Sequence, residues 1–294
     1  MNNPNIYTNG TPFDKIELID KNLKNFLIRL KDRQPIVIII DGGQSTGKTT
    51  LSIHLTDRLN YLSGQPIVNL DEKETIQYCF GGEQLVKKLP LCQDENKNAI
   101  VYDESGDYSR KGSLSRFNKT MDRAMDMVRI FQVAIIIVCH DFTKLPREII
   151  DKKIASFLIH CKQRNPGSVY ANAQVYDYSG MCWIQHYRKE VVVPELAYNK
   201  VYPNFHFRFK DLSPERSSKL HTLSGTKKIE LFKQSEVKLQ GLINYKELGY
   251  KVGMSEAWVK AIIRKLHIKE ESIYKKKKYF NPNVAEMIFK KIKK

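Results

Sequence analysis

Long apolar runs are missing from this 294-residue chain. The longest candidates, at 36–40 and 133–138, have the length of buried strands. They fall far short of the ~20 residues needed to cross a bilayer, which argues against a membrane-spanning protein. The first residues, Met1-Asn2-Asn3-Pro4-Asn5, lack the basic and apolar regions of a secretory leader. Cysteine is sparse: Cys79, Cys92, Cys139, Cys161 and Cys182 stand far apart and form no CxxC pair. That spacing offers neither a zinc site nor a disulfide framework and predicts reduced, mostly structural thiols in a cytoplasmic protein. Acidic residues are also in deficit, with 32 Asp and Glu against 49 Lys and Arg, a net charge of +17. The deficit is uneven. Residues 215–294 hold 20 basic and 8 acidic residues, a net of +12, whereas residues 1–214 hold 29 and 24, a net of +5. A localised basic region is the electrostatic footprint of a nucleic-acid binder, and a solvated lysine-rich surface gives the same count.

The hydrophobic fraction of 41% and the 15 tyrosines suit a globular chain, long enough for one large domain and a smaller one. Apolar residues at helical spacing over 14–30 predict an amphipathic lead-in helix. The β-branched run at 36–40 predicts a strand covered on both faces. Further strands are expected at 67–70, 99–102, 133–138 and 155–161, with helices over 48–62, 82–89 and 115–131 between them. Strands alternating with helices predict an α/β core, a mostly parallel sheet flanked by helices. After it, segments 169–177 and 181–187 flank Tyr178-Ser179-Gly180 and predict a β-hairpin. Pro194, Pro203 and Pro214 then mark a connector. The expected organisation is an N-terminal segment over 1–34, a core over 35–193, a connector over 194–235 and a basic unit over 236–294. No internal repeat is present.

The sharpest signal is Gly42-Gly43-Gln44-Ser45-Thr46-Gly47-Lys48-Thr49-Thr50, placed between an apolar strand and a helix. Gly42 and Gly47 allow the tight turn that points successive N–H groups at phosphate, and the helix N-terminus adds partial positive charge. Lys48 suits the β- and γ-phosphates, and the Thr49 hydroxyl suits a Mg²⁺ ion. A second apolar strand ends in Asp103-Glu104. Asp103 can hold Mg²⁺, and Glu104 is placed to polarise a water for attack on the γ-phosphate. That glutamate favours hydrolysis over phosphotransfer to a small molecule. Arg110, Arg116, Arg123 and Arg129 follow, and Arg116 and Arg129 are the preferred pair for an arginine finger acting on a neighbouring subunit's ATP. His140, at the end of the 133–138 strand, is either a polar sensor or an ordinary strand-end histidine.

Near the C-terminus, Asn244-Tyr245-Lys246-Glu247 is a capping-box pattern that opens a helix over 245–251. Gly253-Met254-Ser255 is a turn with an N-cap serine, and 255–266 is a second helix. These lengths match a helix-turn-helix, with Lys275, Lys276, Lys277 and Lys278 as a basic wing and a closing helix after it. Ser255, Glu256, Trp258 and Lys260 would then face the major groove and the lysine run would meet phosphates, with Arg264 a further DNA-binding residue. A small helical domain used for subunit contacts is the other reading.

Together, the loop at 42–49, Asp103-Glu104, Arg116 with Asn118, and the strand ending at Cys139-His140 resemble the FtsK/HerA-like group. These are additional-strand P-loop ATPases, among them viral genome-packaging motors and conjugative DNA pumps. The run Tyr102-Asp103-Glu104-Ser105-Gly106-Asp107, with Arg110, Leu114, Phe117-Asn118 and Arg129, is similar to small packaging ATPases of viruses and mobile elements. The resemblance spans about 36–165. It implies a RecA-like P-loop NTPase core and a small C-terminal winged helix-turn-helix-like domain. In that group the 133–138 strand lies between the strands of the two nucleotide motifs and carries the sensor, where Cys139-His140 departs from the usual Ser, Thr, Asn or Gln. The implied activity is Mg²⁺-dependent ATP hydrolysis that moves double-stranded DNA through a homo-oligomeric ring, a pentamer or hexamer. A capsid or portal protein is an implied partner, and the host cytoplasm the location if the protein is viral. The C-terminal region lacks the clustered carboxylates of a two-metal nuclease. The competing readings are an AAA+-like DNA-binding switch (a transposition helper or replication initiator), a small-molecule kinase, and a regulator that binds nucleotide without turnover.

Overall fold

Three aliphatic runs fix the centre of the structure: β1 (Val37–Gly42), β3 (Ala99–Asp103) and β4 (Ala134–Val138) are buried at every position. Runs of β-branched residues with no polar alternation suit strands covered on both faces. The computed structural model describes residues 11–70, 75–103, 130–146, 148–151, 153–165, 167–191, 193–237, 243–268, 270, 272–274, 277–281 and 283–292. The chain divides into two units, 1–223 and 224–294.

In the first unit, β2 (Tyr78–Phe80), β5 (Ala155–Lys162), β6 (Tyr170–Tyr176) and β7 (Phe205–Lys210) complete a seven-stranded sheet. Its order is β2-β3-β4-β1-β5-β6-β7. The strands from β2 to β5 are parallel, and β6 and β7 add antiparallel. The expected α/β class with a mostly parallel sheet is therefore the observed one. β4 lies between β1 and β3, with Ile136 opposite Ile38 on one side and Val101 on the other.

Alternate residues of these strands feed two cores. Ile38, Ile40, Val101 and Ile136 face α1 (Ile16–Lys31) and α2 (Lys48–Leu62). Val37, Ile39, Ile100 and Ile137 face α3 (Gly82–Asp94), α4 (Glu148–Asp151), α5 (Tyr178–Tyr187) and α6 (Pro194–Tyr198). α1 buries Ile19, Leu23, Phe26 and Leu30, one stripe at helical spacing, within the stretch where a lead-in helix is expected.

Three expectations about local structure are corrected. Residues 67–70 are not a strand. The Val68 N–H donates to the Asp57 carboxylate at 2.9 Å and its carbonyl accepts from Arg216 at 3.2 Å, so side chains take the groups a ladder would use. The sheet's next strand is instead β2. The hairpin over 169–187 is also absent, because its second arm is the helix α5. Asp177 caps that helix by accepting from the Gly180 N–H at 2.9 Å, and Met181 and Ile184 are buried while Trp183 is 53% exposed. β6 pairs with β5 and β7 instead. Finally, the stretch expected as a connector, 194–235, carries α6, β7 and all but the last two residues of α7 (Pro214–Val237). In β7, Phe207 and Phe209 enter the first core while His206 and Arg208 stay exposed, a period-2 pattern.

The second unit has its own core of Leu248, Val252, Val259, Ile263, Phe280, Val284 and Ile288. Its elements are β8 (Ile243–Asn244), α8 (Tyr245–Val252), α9 (Glu256–Lys265), β9 (Ser272–Tyr274), β10 (Lys277–Phe280) and α10 (Asn283–Ile292). The three strands form a sheet in the order β8-β10-β9. Asn244 and Glu247 form a reciprocal cap. The Asn244 side chain accepts from the N–H groups of Lys246 and Glu247, and the Glu247 carboxylate accepts from the Asn244 N–H at 2.8 Å. Gly253, at φ +68°, turns the chain between α8 and α9, and Ser255 caps α9 by accepting from the Trp258 N–H.

Candidate functional site: a phosphate loop beside Asp103

β1 ends at Gly42, the loop runs over 43–47, and α2 begins at Lys48. Gly42 has φ +138°, and a Cβ there would lie 2.3 Å from the Cys161 carbonyl oxygen, so no other residue fits without moving β5. Gly47 has φ +86°, and its added Cβ would meet the Phe209 ring at 3.1 Å. Ser45 also takes a positive φ, +57°. The Thr46 hydroxyl closes the turn by donating to the Gly43 carbonyl at 3.1 Å, while Gln44 and Ser45 are exposed. Thr50, in the first turn of α2, is half-buried.

Lys48 is 9% exposed and its Nζ donates to the carbonyls of Gly42, at 3.0 Å, and Gly43. Burial pulls this ammonium below its ordinary pKa, and Asp41 and Asp103 are among the neighbours that oppose the shift. Burial also raises the pKa of Cys139 and Cys161, so both stand beside the loop as neutral thiols.

Parallel pairing through β4 brings the end of β3 to the start of α2. The Thr49 hydroxyl donates to Asp103 Oδ2 at 3.1 Å. The Tyr78 hydroxyl, from β2, donates to the same oxygen. The two residues expected to hold a metal thus share one site. Their hydroxyl and carboxylate are hard oxygen donors of the kind Mg²⁺ takes, so the residues present fit the ion. Among the described residues, no group of three or more His, Cys, Asp or Glu side chains forms a separate metal cluster.

β4 delivers Cys139-His140 to the same edge of the sheet, where the Cys139 N–H donates to the Ile40 carbonyl at 2.9 Å. His140 is exposed, and Asp141 beside it caps a 3-10 turn over Phe142–Lys144. Glu104, Arg110, Arg116, Arg123 and Arg129 fall outside the described residues.

In the second unit, Ser255 and Arg264 are exposed and Trp258 is half-buried against the core of that unit. Lys260 pairs with Glu256 at 2.6 Å and lies 5.4 Å from the centre of the Tyr245 ring. Lys277 and Lys278 lie on β10, and Lys275 and Lys276 fall outside the described residues.

Reading by motif missed Asp41, Tyr78, His160, Tyr198 and Phe209. Of these only Phe209 had a readable signal, the alternation Phe205-His206-Phe207-Arg208-Phe209.

A glycine-bounded phosphate loop between strand and helix, an acid at the end of a second strand, and a strand inserted between the two define a P-loop NTPase fold of the RecA-like kind. No protein-family model matches the chain, and no curated protein matches it. Among solved structures it is similar to the genome packaging NTPase B204 of Sulfolobus turreted icosahedral virus 2 in complex with ATP-gammaS. That match has 14% identity over 60% of this chain and 92% of that one, with a TM-score of 0.35. It is also similar to the N-terminal domain of zonular occludens toxin from Neisseria meningitidis, at 11% identity, 61% and 95% coverage and a TM-score of 0.36. A KaiC-like protein from Pyrococcus horikoshii OT3 matches at 13% identity, 49% and 78% coverage and a TM-score of 0.33. These likenesses are distant, and the fold assignment rests on the strand order and the loop.

Proposed function

We propose that this chain is a Mg²⁺-dependent ATPase of the FtsK/HerA-like kind, which couples hydrolysis to moving double-stranded DNA through a ring of its own copies. The observation that carries the reading is the Thr49–Asp103 contact across the inserted strand β4. It sets the hydroxyl and carboxylate for Mg²⁺ beside the loop, with Glu104 next in the chain. The loop N–H groups and Lys48 bind and orient the β- and γ-phosphates. Thr49 and Asp103 would hold a Mg²⁺ ion, which would supply neutralisation of phosphate charge when bound. Glu104 takes the proton from the attacking water. His140 stands at the sensor position, and Arg116 or Arg129 serves as the finger from a neighbouring copy. The DNA half of the reading is supported by the net of +12 over 215–294 and by the succession of β8, α8, turn, α9, β9 and β10. That succession suits a winged helix-turn-helix, with α9 toward bases and the lysine run toward phosphates. In a packaging setting a capsid or portal protein would anchor the ring.

The AAA+-like switch is the second reading. That reading expects a helical lid directly after the sheet, and the hairpin predicted over 169–187 in its place is absent. The sheet is nonetheless extended by the antiparallel strands β6 and β7, with β7 returning to the sheet after the short helix α6. Steady-state ATPase rates with and without double-stranded DNA, for wild type and Glu104→Gln, test the proposal. DNA stimulates the wild type, and the variant loses about 100-fold or more in turnover while still binding nucleotide. Undiminished turnover in Glu104→Gln, or a rate indifferent to DNA, would refute it. A triplex-displacement assay separates pumping from switching.

A further inference from the structure

Asp41 is the residue of β1 just before Gly42 and is 1% exposed. A carboxylate buried beside a phosphate loop is costly twice over, by its own desolvation and by its repulsion of the phosphates. The fold surrounds it with donors. His160 Nδ1 lies 2.9 Å from Oδ1. The Phe142 N–H donates to Oδ2 at 3.2 Å, and the Tyr198 hydroxyl donates to the same oxygen. These groups come from β5, from the turn that follows β4, and from α6. The His160 and Tyr198 rings stack with centroids 3.7 Å apart and planes 17° apart, so each donor holds the other in place. Burial, reinforced by the charge of Asp41, raises the Tyr198 phenol well above its ordinary pKa and keeps its proton available for donation.

We infer that Asp41 is a positioning residue for the phosphate loop. Its carboxylate gathers the ends of β1, β4 and β5 onto one point and fixes the direction in which Gly42 leaves the strand. The N–H groups of the loop inherit that direction. The same carboxylate opposes the effect of burial on Lys48, so the cluster supports the loop's cation as well as its backbone. It also ties Phe142, two residues after His140, to the strand that carries the loop. The inference rests on the nucleotide reading above and adds to it the side chains that hold the loop in shape.

Tyr198→Phe, His160→Leu and His160→Asn test it, with a fluorescent ATP analogue and Mg²⁺ as the probe and thermal unfolding followed in parallel. Tyr198→Phe removes one oxygen atom, and His160→Asn keeps an N–H donor near the place of Nδ1. Tyr198→Phe and His160→Leu should each weaken analogue binding about tenfold, the effect of one lost hydrogen bond to a charged group. His160→Asn should stay within about threefold of wild type. If His160→Leu does not fold, Tyr198→Phe carries the test. Wild-type affinity in folded Tyr198→Phe and His160→Leu proteins would overturn the positioning role and leave the cluster as core packing. A wild-type protein that fails to bind the analogue would overturn the nucleotide reading itself.

Discussion

His54 makes the stability of the first unit pH-dependent in a way that can be calculated. The ring is buried in α2, with Nε2 3.0 Å from the Lys210 carbonyl and the Phe13 ring edge-on at 5.9 Å. The carbonyl accepts, so Nε2 carries the proton of a neutral imidazole. Burial lowers the pKa from 6.5 to about 4, with the Lys210 carbonyl opposing it and Arg216 adding to it. Above pH 6.5 both folded and unfolded chains hold a neutral ring, and the full stability is present. As the pH falls, the unfolded chain takes up a proton first, so stability is lost until the folded ring also titrates near pH 4. That interval, at about 1.36 kcal/mol per pH unit, amounts to about 3 kcal/mol. It is a large part of the ~5–15 kcal/mol by which domains are stable. Other groups titrate in the same window, so the comparison is with His54→Gln, whose amide nitrogen can reach the same carbonyl without titrating. Urea unfolding of both proteins from about pH 8 to about pH 4 should show the wild type losing about 3 kcal/mol more than the variant. Parallel stability curves would refute the argument.

Gly42→Ala places a Cβ 2.3 Å from the Cys161 carbonyl at a φ of +138°. It should cost about 2–4 kcal/mol in denaturant unfolding and weaken nucleotide binding by more than about tenfold. Arg216→Ala leaves Asp57, 2% exposed, without the guanidinium that meets it at 2.6 Å. The expected loss is about 3–5 kcal/mol by urea unfolding, and Asp57→Asn on the same background should recover part of it.

The parts of this fold readable in advance were those set by neighbours in the chain. The buried strands at 37–42, 99–103 and 134–138 announce themselves because every side chain is apolar or small up to the terminal acid or glycine. The phosphate loop is legible because its glycines answer to backbone torsions. Where a side chain overrides the local pattern, reading fails. Val68 has strand composition, yet Asp57 and Arg216 take its backbone groups. Gly180 follows a tyrosine-serine pair and resembles a turn, yet Asp177 makes it the first turn of a helix. Prolines at 194, 203 and 214 obscured β7, although its alternating phenylalanines were visible. At the site, Asp103 and Thr49 could be paired from motif alone. The surroundings of Asp41 could not, because its partners stand at 142, 160 and 198 and only the strand order gathers them.

That dispersal has a consequence for how the protein is made. β1 and the loop leave the ribosome early, but both strands that flank β1 lie about a hundred residues downstream. The Tyr198 hydroxyl and the Phe209 ring against Gly47 arrive later still. A nascent chain halted near residue 150 contains the whole glycine-lysine-threonine motif and β4, yet lacks β5, α6 and β7, which hold the loop in place. The full surroundings of the loop are thus assembled late in synthesis, only when the antiparallel edge of the sheet has closed.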